Sequence, residues 1–116
     1  MQLDEEQRAI IDYRAILTGL AGIIEITIDS KSMDSLNKER LKNLNKKRLE
    51  DIKKDIANVQ EIFLFAPSYI RDTMKEKYDE IDSVLKLIEG ENYETAYNDS
   101  MEFLKKPITF HRSYSF

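Results

Sequence analysis

The chain has 116 residues, one His, no Cys and no Trp, with 41% apolar and 34% charged residues, enough for one helical domain, expected over 1–107, and too few for two. The absence of Cys excludes a disulfide framework, a thiolate metal site and a cysteine nucleophile, and a single His cannot supply a multi-histidine site. Three Gly and two Pro are too few for a sandwich or barrel, in which turns recur about every ten residues. An all-α fold remains: a three- or four-helix antiparallel bundle.

The first helix is expected over about 4–28, where Ile10, Tyr13, Leu17, Leu20, Ala21, Ile24 and Ile28 share one side and Ile16 and Ile23 widen it towards half the circumference. Such a helix should be buried on more than one side. Gly19 and Gly22 interrupt it, each at about 1 kcal/mol relative to Ala, so a kink or the close approach of another helix is expected there. Residues 23–28 are rich in β-branched side chains. A strand is the alternative to a helical end at that point.

The strongest periodicity runs over about 35–66, where Leu41, Leu44, Leu49, Ile52, Ile56, Val59, Ile62, Phe63 and Ala66 fall in one stripe. This predicts a long central helix of about 45 Å, capped at its start by Asp34 or Ser35 and closed by Pro67. Ile70, Met74, Tyr78, Ile81, Leu85 and Ile88 then recur at helical steps, predicting a third helix with Ser68 as its cap and Gly90 in a left-handed closing position. Asn92 should cap a short fourth helix with Tyr93, Tyr97, Met101 and Leu104 on one face, stopped by Pro107. Beyond it, Ile108, Phe110, Tyr114 and Phe116 alternate with Thr109, His111, Ser113 and Ser115, the pattern of an extended tail over 108–116 that either packs back on the bundle or docks on a partner.

The net charge of −4 conceals a segregation: two bases and six acids in 1–30, nine and five in 31–60, four and eleven in 61–102, and three bases without an acid in 103–116. The acidic start of the chain and the lack of an apolar run of about 20 residues lead to the expectation of a cytoplasmic protein without a membrane span. Residues 15–28 are the most apolar stretch, but Thr18, Glu25 and Thr27 interrupt it, and a core helix accounts for it.

No catalytic constellation stands out. Gly19 to Gly22 lacks the lysine and third glycine of a phosphate loop, and His111 lies in the tail. Asp72, Glu76, Asp79 and Glu80 form an acidic flank of the third helix without the Glu-x-x-His pair of a two-metal bundle. The expectation is therefore a protein that is not an enzyme and holds no cofactor or metal.

Two surfaces suggest binding instead. Leu64 and Phe65 point away from the inward stripe; unless the helix corner buries them, they and the tail's Phe110, Tyr114 and Phe116 form a protein interface, and the chain is expected to be a homo-oligomer. The stretch 38–48 holds Lys38, Arg40, Lys42, Lys46, Lys47 and Arg48 against a single acid, able to neutralise phosphates or meet an acidic protein surface. No aromatic interleaves with these bases for stacking, so a nucleic-acid-associated protein is the alternative to a self-associating regulator, inhibitor or assembly component of the phage or mobile-element type. In length, predicted bundle and aromatic non-helical tail, the chain resembles bacteriocin immunity proteins. That resemblance implies a compact cytosolic bundle whose carboxy-terminal part recognises a toxin–receptor assembly, and it carries no individual site residues with it.

Overall fold

The computed structural model describes residues 4–110, which form four α-helices: α1 (Glu5–Asp29), α2 (Ser35–Phe63), α3 (Ser68–Glu89) and α4 (Tyr93–Lys105). Two local signals start the long helices. Asp4 caps α1 by accepting the Gln7 amide at 2.8 Å, and the Gln7 side chain accepts the Asp4 amide in return at 3.3 Å, so two of the free amides of the first turn are satisfied. Asp34, rather than Ser35, caps α2, its carboxylate accepting the Asn37 amide at 2.8 Å.

Residues 23–28 are helical throughout. The β-branched side chains there reduce helix propensity by only tenths of a kcal/mol each, and Ile23 and Ile24 recover more by being buried. The Thr27 hydroxyl donates to the Ile23 carbonyl at 2.8 Å and the Ser30 hydroxyl to the Thr27 carbonyl at 2.6 Å, after which a short 3-10 turn, Ser30–Ser32, ends the segment. Gly19 is where a neighbour comes close: a Cβ at this position would lie 3.6 Å from Ile52 Cδ1 of α2, whereas one at Gly22 would meet nothing within 4 Å.

The helices run up and down in turn. Asn45 of α2 meets Thr27 of α1 and Ile52 approaches Gly19, which sets α1 and α2 antiparallel. Lys53 reaches Glu89 and Phe63 packs on Tyr78, which does the same for α2 and α3. The core consists mainly of α1 and α3, with Tyr13, Leu17, Leu20 and Ile24 facing Ile70, Met74, Ile81 and Val84. Tyr13 and Phe63 both pack edge-on against Tyr78, with centroids 6.2 and 5.7 Å away.

Several expectations change. Helix α2 ends at Phe63, three residues before Ala66, because Leu64, Phe65 and Ala66 tighten into i→i−3 hydrogen bonds ahead of Pro67. It lies on the outside of the bundle rather than at its centre: Asn45 is its one buried residue, and Leu41, Leu49, Ile52, Ile56, Val59 and Phe63 are half-buried. Leu44 and Ile62, assigned inward by periodicity, are exposed. In α3, Pro67 holds the N-cap position and Ser68 makes no capping bond. The left-handed residue after α3 is Glu91, with φ 61°, and not Gly90. The amide of Asn92 bonds to the Leu87 carbonyl and that of Glu91 to Ile88, a Schellman closure displaced by one residue. Asn92 occupies the cap position of α4 without a side-chain bond. Finally, α4 meets the bundle through Ala96 and Ser100, both fully buried, while Tyr93, Tyr97, Met101 and Leu104 are half-buried at its margins. The Ser100 hydroxyl is satisfied by the Ala96 carbonyl at 2.8 Å.

Two backbone positions are therefore suboptimal. Gly22→Ala should raise stability by about 0.5–1 kcal/mol, since a methyl group there meets open space. Glu91→Gly should add about 1 kcal/mol by relieving a left-handed non-glycine residue. Urea denaturation of each variant against the parent chain measures both, and a loss of stability in either contradicts the assignment.

Candidate interaction surfaces

Among the described residues, three of the four most exposed large apolar side chains gather at the corner between α2 and α3. Ile62 is 61% exposed, Leu64 66% and Phe65 89%. They protrude because the 3-10 turn carries the chain around Pro67 with only Phe63 and Ala66 turned towards the core. Beneath Leu64 a shallow cleft of about 220 Å³ opens between the helices, floored by Phe63, Met74 and Tyr78 and rimmed by Arg71 and Lys75. Phe110 reaches the same end of the molecule: it is half-buried and packs edge-on against Tyr69, in the first turn of α3, at 6.4 Å and 87°. Ile108 also packs on the core. Tyr114, Phe116 and His111 lie outside the described residues.

The six bases of 38–48 are all exposed on α2, and none of them forms an ion pair among the described residues. They do not share a face. Lys38, Lys42 and Lys46 line a cleft of about 480 Å³ between α2, the end of α1 and the α3–α4 corner, opposite Glu89 and Glu91. Arg40, Lys47 and Arg48 do not line it. On the floor of this cleft Asn45 is buried, donating to Thr27 Oγ1 at 2.9 Å while its own carbonyl oxygen has no partner among the described residues. The periodicity of α2 could not single out Asn45, because a polar residue inside an apolar stripe reads as an interruption. The basic stretch and the apolar corner are separated along α2 by about 24 Å from Arg48 to Leu64, at 1.5 Å per residue.

The acidic flank of α3 divides. Asp72, Glu76 and Asp79 are exposed, whereas Glu80 is half-buried, accepts the Tyr13 hydroxyl at 3.1 Å and lies 3.5 Å from Lys77. Burial raises the Tyr13 hydroxyl well above the usual tyrosine range, and the Glu80 charge and hydrogen bond push it the same way. Burial does the same to Tyr78, with Asp12 adding to it, and the Tyr78 hydroxyl finds no partner among the described residues. Burial, then Glu91, raises Tyr93. Among the described residues no helix is long and apolar enough to cross a membrane.

The two core tyrosines should behave oppositely. Tyr78→Phe removes an unpaired buried hydroxyl and should leave stability unchanged or raise it by about 1 kcal/mol, whereas Tyr13→Phe, which loses the bond to Glu80, should reduce it by about 1–2 kcal/mol. Both tyrosines hold their proton more tightly in the folded chain than in the unfolded one. Their contribution is therefore complete below the ordinary tyrosine value of about 10 and is lost as pH rises above it. Denaturant titrations between neutral and strongly alkaline pH test this, and a stability that does not fall above that value contradicts it. No known protein family, curated protein or solved structure matches this chain.

Proposed function

We propose that the chain is a non-enzymatic protein-binding module that self-associates, acting as a regulator, inhibitor or assembly component. The observation that supports this reading is the α2–α3 corner, where Leu64 and Phe65 stand 66% and 89% exposed beside Ile62. Large side chains of this kind clustered at one place lose apolar hydration when a second surface covers them, at about 25 cal/mol per Å². Aromatic anchors in an exposed cluster are also the residues on which binding energy concentrates. The tail enters the same region through the contact of Phe110 with Tyr69, which joins Phe110 to the proposed interface.

A second reading is favoured by one observation of its own: the bases Lys38, Arg40, Lys42, Lys46, Lys47 and Arg48 are exposed and without ion pairs among the described residues. In it the chain is a nucleic-acid-associated protein that releases counterions from a polyanion. Their distribution around α2 gives the first reading precedence, since a backbone of phosphates is met by cations sharing a face.

Light scattering on the full chain and on a chain ending at Lys106 separates the possibilities. A dimer or larger assembly that resists salt but dissociates on truncation, or with Leu64→Ser or Phe65→Ser, is the expected outcome. A monomer at all concentrations sinks self-association. A salt-sensitive mobility shift of nucleic acid, abolished when Lys46, Lys47 and Arg48 are replaced by Glu, would establish the second reading instead.

A further inference from the structure

The outward face of α2 carries an apolar pair and a charge pair placed symmetrically about its middle. From Leu36 onward, exposed residues recur at steps of three and four as far as Ile62, on the side of the helix away from the bundle. The first half of this face carries Arg40 and Lys47 and the second half Asp51, Asp55 and Glu61 beside Lys54, and apolar side chains stand at its two ends: Met33 and Leu36, 42% and 61% exposed, and Ile62 and Phe65, 61% and 89% exposed. Within the helix two pairs of residues equally distant from position 49 match in character, Leu36 with Ile62 and Lys47 with Asp51, and Met33 and Phe65 lie just outside the helix at its two ends.

We propose that α2 pairs antiparallel with α2 of a second copy of the chain, about a twofold axis level with position 49. This deepens the self-association reading and rests on it. In that pairing each apolar end meets the opposite apolar end, and Lys47 of each copy meets Asp51 of the other, as an isologous interface requires. A parallel arrangement sets Lys47 against Lys47 and Asp51 against Asp51, which repel. Arg40 falls opposite Asn58, two groups able to hydrogen-bond; Leu44 falls beside Lys54 and Asp55, the least favourable match on the face. Neither Lys47 nor Asp51 is in an ion pair among the described residues, and within its own chain each lies four residues from the other along the same exposed helix, a spacing at which opposite charges interact. The apolar ends supply the affinity and the charges choose direction and register, the usual division between the two kinds of contact.

The test is a charge swap read by light scattering and sedimentation on the full chain. Lys47→Asp and Asp51→Lys should each weaken the dimer about tenfold or more, because the substitution is counted twice in a symmetric pair and turns two attractions into repulsions. Mixing the two single variants should restore association as a heterodimer, since one chain then carries acids at both positions and the other bases at both, so that every cross-chain pair is again attractive. This result cannot come from repair within one helix, where the like charges persist. Circular dichroism confirms that each variant is folded. A dimer indifferent to both reversals but lost with Leu64→Ser overturns the antiparallel α2 pairing and leaves self-association through the corner intact. Reversals that weaken the dimer without rescue on mixing also overturn it, and a full chain that is monomeric throughout overturns both readings.

Discussion

Helix α1 has apolar side chains over too much of its circumference to be left with one side in water. Tyr13, Leu17, Leu20 and Ile24 are almost completely buried, and Ile16, Ala21 and Ile23 nearly so, which requires neighbours on several sides. The other three helices supply them, and each packs directly against α1. The order follows from short connections, which force each helix to turn back on the one before it. Once α3 and α4 have closed on α1, most of the demand for burial is met.

Helix α2 is left with what remains. Its inward residues are half-buried, its one buried residue is the polar Asn45, and its length of about 44 Å at 1.5 Å per residue offers more surface than the bundle covers. This is why Leu36, Leu44 and Ile62 are exposed although each is apolar. The same geometry leaves most of its charges without ion pairs among the described residues. Bases concentrate in its first half and acids in its second half, and its one ion pair among the described residues is made with the end of α3, Lys53 with Glu89 at 3.0 Å. An exposed pair of this kind contributes little to stability.

The surfaces best suited to binding are thus by-products of how the core closes. A helix pushed to the outside presents an unsatisfied face, and the 3-10 turn needed to reverse direction at Pro67 turns Leu64 and Phe65 outward. Buried polar groups mark the less complete parts of the packing: the Tyr78 hydroxyl and the Asn45 carbonyl lack partners among the described residues, while Tyr13 is satisfied by Glu80. Each such orphan forgoes the hydrogen bond that would offset its desolvation, up to about 1 kcal/mol of stability.

Much of the architecture is legible without coordinates, because the interactions responsible are local. Asp4 and Asp34 cap their helices through bonds to residues three positions away, and the period of Ile70, Met74, Tyr78, Ile81, Leu85 and Ile88 suffices to define the buried side of α3. Helical angles set Leu64 and Phe65 off the inward stripe but leave open whether the helix corner buries them, and only the fold shows them exposed. What failed depended on neighbours remote in sequence. Leu44 and Ile62 lie at the edge of a stripe whose width only the position of α1 decides. Ser68 and Gly90 have the right chemistry for caps, but the special conformations fall on Pro67 and Glu91, and Asn92 caps α4 by position without a side-chain bond. Ala96 and Ser100 carry the contact of α4 because they are small enough to let it approach closely, and size at an interface has no periodic signature. Sequence alone therefore determined that helices form and where they begin, since hydrogen bonding and side-chain period act over a few residues. Tertiary structure alone decided which faces remain uncovered, since that depends on how much apolar surface the other helices had already buried.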